Sequence, residues 1–131
     1  TDPELSECGK QQAQALATLL GQLQIPKIFH TAYQRTTQTA QALLQPGRSL
    51  QTYDPASLDN LSKTLKQAQQ SALIVGHSNT TPQLAALLSE QAVPPMSDQQ
   101  YGLVYQLTFQ HQQLVSMNLL QLPQPENCHK K

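Results

Sequence analysis

At 131 residues the chain has the ordinary length of one domain and is long enough to bury a core. Eight basic residues balance eight acidic ones and only 12% of the chain is charged, so it lacks the electrostatic footprint of a protein that binds nucleic acid or an anionic membrane. No apolar run approaches the length of a membrane span. Glutamine supplies much of the polar surface, within periodic helical segments and not as a low-complexity tract.

The chain opens on Thr1, with no signal-like segment ahead of its first periodic stretch. The expectation is a processed, excised or incomplete chain. Cys8 and Cys128 lie near opposite ends and match no metal-ligand spacing. Two readings stand for them. They are unrelated thiols in a reducing compartment, or a disulfide that closes the chain almost end to end and contributes several kcal/mol in the entropic model. A disulfide favours an exported protein and two free thiols favour the cytoplasm, so cytoplasm and periplasm both stay open.

In chain order, Asp2-Pro3-Glu4-Leu5-Ser6 supplies turn chemistry, with Ser6 as N-cap of a helix over 6–24. Its apolar stripe is Ala13, Leu16, Leu20 and Leu23. Pro26 ends that element, and Lys27–His30 reads as a short strand. Tyr33 to Gln45 reads as a second helix, stopped by Pro46-Gly47. Ser49 to Tyr53 is a weaker strand, and Asp54-Pro55 is a helix-start pair. Leu58, Leu61, Leu65 and Ala68 give the third helix its buried face. Ala72-Leu73-Ile74-Val75 is a buried strand, and a fourth helix runs from about Thr81 to Ser89. Val93-Pro94-Pro95 breaks the pattern.

Two strands follow, Tyr101–Phe109 and Leu114–Leu122, joined by a polar turn at 110–113. Tyr101, Leu103, Tyr105 and Leu107 alternate as a half-buried strand does. The alternation of helices and strands predicts an α/β fold, a three-layer α/β/α sandwich with a mostly parallel sheet and an antiparallel edge. A single domain over 1–122 and a loose tail over 123–131 are expected. The order opens on a helix where an α/β unit usually opens on a strand.

The chemistry gathers at two strand ends. Strand 72–75 runs into Gly76-His77-Ser78-Asn79 and then a helix start, which puts an imidazole beside free backbone N–H groups at the carboxyl edge of the sheet. Strand 27–30 runs into His30-Thr31-Ala32-Tyr33-Gln34-Arg35, and its end opens on the same rim. Arginine donates two parallel charge-assisted hydrogen bonds to phosphate oxygens. Arg35 with His77 is therefore the charge complement of a phosphoryl pocket.

These segments resemble the histidine phosphatase, or phosphoglycerate mutase-like, superfamily. Leu5 to Ala13, Ile28-Phe29-His30-Thr31-Ala32-Tyr33-Gln34-Arg35-Thr36-Thr37-Gln38-Thr39-Ala40 and Val75-Gly76-His77-Ser78-Asn79-Thr80 carry the likeness. The middle segment is similar to the family's S-x-x-x-R-x-x-Q-T-A signature and the last to its V-G-H segment. Size and the lack of a large insertion resemble the small phosphohistidine-phosphatase-like branch. The resemblance implies a phosphatase that uses no metal and no cofactor. In such enzymes a nucleophilic histidine forms a phosphohistidine intermediate that water hydrolyses, while a second histidine and two arginines hold the phosphoryl group. His77 then corresponds to the second histidine and Arg35 to one of the arginines.

The nucleophile belongs to an R-H-G or R-H-A motif on a strand ahead of the first helix, and no Arg-His pair occurs in this sequence. The expectation is that the full protein carries that strand. His30 stands where the family has a small hydroxyl residue, and it either lines the pocket or faces solvent. Thr31 offers a hydroxyl to phosphate, while Ser78 and Asn79 offer donors there or cap the helix.

Glu4, Asp54 and Asp98 are the candidate general acids, each with the alternative of a cap or turn role. The lack of a dedicated acid favours substrates with good leaving groups, such as phosphohistidine or acyl phosphate. His111, His129, Lys130 and Lys131 read as solvated. The expected partner is a small phosphorylated substrate or a phosphohistidine protein, with no nucleic acid and no membrane. Two alternatives remain: an inactive phosphate-binding or protein-interaction domain of the same fold, and a phosphoglycerate mutase-type phosphoryl transfer.

Overall fold

The computed structural model describes Asp2, residues 4–96 and residues 103–122. Asp98, Tyr101, Cys128, His129 and the expected tail lie outside the described residues. Helix α1 spans Glu7–Leu19, and Ser6 caps it as expected, its hydroxyl accepting from the Gly9 amide at 3.1 Å. The apolar stripe predicts a helix to Gln24, yet α1 stops five residues earlier. The cause is long-range. The Arg48 guanidinium donates to the carbonyls of Leu20 and Leu23 and pulls them out of helical register.

The same arginine donates to the Leu43 carbonyl at 2.9 Å, at the end of α2 (Gln34–Ala42). This ends α2 short of Gln45. One side chain therefore binds the carbonyls that both helices leave unsatisfied at their C-termini.

Strands β1 (Lys27–His30), β2 (Ser49–Thr52) and β3 (Ala72–Val75) form a parallel sheet in the order β2-β1-β3. Asp54-Pro55 does not start α3. Asp54 instead closes an Asx turn, accepting from the Ala56 amide at 2.9 Å, and α3 begins at Leu58 and runs to Ala68. Helix α4 spans Thr81–Ser89 with proline in its first turn. Both helices end in left-handed residues, Gln69 and Glu90, and Lys66 joins Glu90 across the two ends at 3.1 Å.

Strand alternation sorts the core into two faces. Ile28, Leu73, Val75 and Leu50 pack with Leu16 of α1 and Ala40 of α2. Phe29, Ile74 and Ala72 pack on the other side with Leu58 and Leu61 of α3 and Leu84 of α4. The result is the expected α/β/α sandwich. The antiparallel pair, β4 (Leu103–Gln110) and β5 (Gln113–Gln121), is a separate two-stranded sheet and not an edge of the parallel one. Its turn is shorter than expected: His111 and Gln112 both adopt positive φ, as the tightest hairpin turns require.

The hairpin is tied to the first core face by Val104 and by Leu122, just past its end. Among the described residues β3 carries no strand on its far side, and all four of its residues are only half-buried. Among the described residues no helix is long and apolar enough to cross a membrane.

Candidate functional site

The carboxyl ends of β1 and β3 lie side by side, since His30 pairs with Val75 in the sheet register. Thr31 follows β1 by one residue and His77 follows β3 by two, and the rim brings them together. The Thr31 hydroxyl lies 2.9 Å from His77 Nε2 and 2.7 Å from the Thr36 hydroxyl. Thr31 is fully buried and Thr36 nearly so. The Tyr33 ring and the imidazole make a T-shaped contact, with centroids 5.0 Å apart and planes at 60°.

Backbone geometry holds His77 from below. Its amide donates to Thr80 Oγ1 at 3.1 Å, and its carbonyl accepts from the Thr80 and Thr81 amides. This turn leads into α4, so Thr80 takes the position before the helix. Neither Ser78 nor Asn79 does: Ser78 is half-buried in the turn and Asn79 is exposed. Gly76 has a local reason. A Cβ there would come within 2.8 Å of the Tyr53 hydroxyl, which donates to the Val75 carbonyl at 3.3 Å. Burial raises the pKa of Tyr53 against the opposing effect of a hydrogen bond with Thr80.

Arg35 sits in the first turn of α2, exposed, and its guanidinium makes no hydrogen bond or ion pair within the described residues. It is close enough to act on His77. Burial first, and the Arg35 charge second, lower the imidazole pKa below its ordinary value. The Arg35 charge thus repels a proton on His77, and the Asp2 carboxylate, which accepts from the Gln34 amide, lies at the same helix start. An anion relieves that repulsion.

The other arginine of the chain, Arg48, is committed to the helix ends and is not available to the rim. His30 is buried and turned inward, with Nδ1 2.7 Å from the Thr31 carbonyl and 3.3 Å from the Thr37 hydroxyl. It does not face solvent. Glu4 is exposed ahead of α1, and Asp54 is spent on its turn. Asp2 and Gln38 bind the segment before α1 to α2, accepting from the amides of Gln34 and Leu5 at 2.8 Å each.

Sequence reading did not single out Tyr33, Tyr53, Thr36 or Thr80 for this site. The one signal that could have found any of them is the spacing of Thr31 and Thr36, five apart across a strand-to-helix turn. Cys8 is disulfide-bonded, and Cys128, the partner the sequence offered, lies outside the described residues. Among the described residues no group of three His, Cys, Asp or Glu side chains could hold a metal ion. A hollow of about 550 Å³ between α3 and α4, lined by residues such as Pro55, Asp59 and Gln83, is separate from the rim.

The fold is thus a parallel sheet between helices, with an imidazole and a guanidinium at its carboxyl edge. The model of the histidine phosphatase superfamily (branch 1) matches residues 1–59, which include β1, Arg35 and β2. Among solved structures, the chain shares its fold with a mycobacterial glucosyl-3-phosphoglycerate phosphatase determined in complex with VO3. The TM-score is 0.65 at 17% identity, over 90% of this chain and 86% of that one. No curated protein sequence matches the chain. The family match covers less than half of the chain, and the structural likeness, at 17% identity, shows the shared fold.

Proposed function

We propose that the protein is a phosphatase that removes a phosphoryl group through a phosphohistidine intermediate, with Arg35 and His77 holding the phosphoryl oxygens. The observation that carries this reading is one of placement: His77 follows β3 and lies 2.9 Å from Thr31, which follows β1, and exposed Arg35 in the first turn of α2 is near enough to add to burial in lowering the imidazole pKa. A phosphate dianion between the two groups reverses that effect, raising the His77 pKa and drawing a proton onto the ring. In the transition state the same donors face the charge that develops on the equatorial oxygens.

The attacking imidazole is not assigned to His30, whose Nδ1 is held by the Thr31 carbonyl and which follows no arginine. A strand added along the open edge of β3 would bring its carboxyl end to the same rim, the position a nucleophile needs. The site has no dedicated acid among the described residues, which suits phosphohistidine or acyl phosphate substrates. Ser78, Asn79 and their backbone amides remain candidate donors to the phosphate.

The test is turnover of para-nitrophenyl phosphate by the protein and its His77→Ala variant. The expected result is turnover in the parent and a loss of at least about a hundredfold in the variant. Equal turnover removes His77 from the mechanism. A second reading is a phosphate-binding domain of the same fold without turnover. Phosphate binding that depends on Arg35, with no hydrolysis by the parent, would select it.

A further inference from the structure

Counting protons along the hydroxyl chain at the rim fixes more than the position of His77. Each threonine hydroxyl has one proton to give. Thr36 Oγ1 lies 3.1 Å from the Thr31 carbonyl and 3.1 Å from the Tyr33 carbonyl, and neither oxygen can donate to it. Its proton therefore points to one of them. Thr36 Oγ1 must then accept in its 2.7 Å bond with Thr31, so the Thr31 hydroxyl donates to Thr36. With its proton spent there, Thr31 Oγ1 accepts in its 2.9 Å bond with His77, and Nε2 of His77 carries a hydrogen. The reverse polarity leaves the Thr36 oxygen beside two carbonyl oxygens with no proton between them, in a buried site where that costs most.

We infer that Thr31, backed by Thr36, is a positioning residue that holds neutral His77 as the Nε2–H tautomer, so that the proton His77 gains when an anion arrives goes to Nδ1. The same residue acts on His30 in the opposite sense. The Thr31 carbonyl accepts from His30 Nδ1 at 2.7 Å, which puts the His30 hydrogen on Nδ1 and leaves Nε2 unprotonated. One residue thus sets two imidazoles in opposite tautomers. This assigns Thr31 to orientation and not to phosphate contact, in keeping with its complete burial. The functional consequence rests on the phosphate site proposed above. The tautomer itself does not.

The test is nitrogen NMR of the imidazoles in the ligand-free protein, at a pH where both rings are neutral. Parent protein is expected to show a pyrrole-like Nε2 and a pyridine-like Nδ1 at His77, with the opposite pattern at His30. Thr31→Ser keeps the His77 pattern, and Thr31→Val, close to isosteric, loses it to an average of both tautomers. Thr36→Val has its own signature: it frees the Thr31 hydroxyl to donate to Nε2, and His77 switches to the Nδ1–H form. A parent His77 with its hydrogen on Nδ1 overturns the inference, as does a Thr31→Val spectrum identical to the parent's. Orthophosphate titration separates the two levels. The expected tautomer in a protein that binds no phosphate upholds the inference and sinks the proposed function.

Discussion

The chain has two arginines, and they occupy opposite situations. Arg48 donates to three backbone carbonyls at the ends of α1 and α2, and its Nε is buried without a partner. Arg35 is exposed at the start of α2, uses none of its donors on the protein among the described residues, and perturbs the histidine next to it. The difference separates two uses of the same charge. Where an arginine completes backbone bonding, it determines where helices end. Where it is left unpaired beside a histidine, it disfavours the protonated imidazole, an effect that a bound anion would reverse.

Several substitutions sharpen or break this contrast. The largest effect is expected from Arg48→Ala, which strands helix-end carbonyls and should cost about 3 kcal/mol in urea unfolding. Phosphate affinity of the folded variant should not change. Arg35→Ala is the mirror image: stability within about 0.5 kcal/mol of the parent, and phosphate affinity weaker by about thirtyfold in calorimetry, or about 2 kcal/mol. If Arg48→Ala weakened phosphate binding and Arg35→Ala did not, the two roles would be reversed.

Ser6→Ala removes a capping bond at α1 and should cost about 1 kcal/mol in the same unfolding assay, with no effect at the rim. The smallest effect is on pH dependence. The folded-state pKa of His77 lies below its unfolded value of about 6.5, so its protonation favours unfolding, and stability falls as pH drops through about 6.5 toward the folded pKa. Arg35→Ala removes the second cause of that shift and should flatten the slope slightly. A steeper slope would contradict the proximity of the two groups.

Much of this was legible in the sequence, and the parts that were not share a cause. Periodicity found all the helices and strands of the described residues, and the Ser6 cap needs only three neighbouring residues. The ends of α1 and α2 were misplaced because Arg48 fixes them from 25 or more residues away in the case of Leu20 and Leu23, a contact no local pattern encodes. At the site, His77 and Arg35 stood out because their residue types carry charge at strand ends. Thr31 and Thr36 did not reveal their role, since a threonine's proton polarity depends on carbonyls placed by the turn. The separate hairpin could not be told from an edge strand because both bury one face with the same alternation.

The central claim is that the guanidinium of Arg35 and the imidazole of His77 close on one anion. The most direct measurement is an orthophosphate titration that follows the side-chain nitrogens of both residues in one NMR sample. The account predicts that both signals move together with a single dissociation constant, and that the His77 ring becomes protonated as the site fills. Movement of one residue without the other, or two distinct dissociation constants, would contradict it.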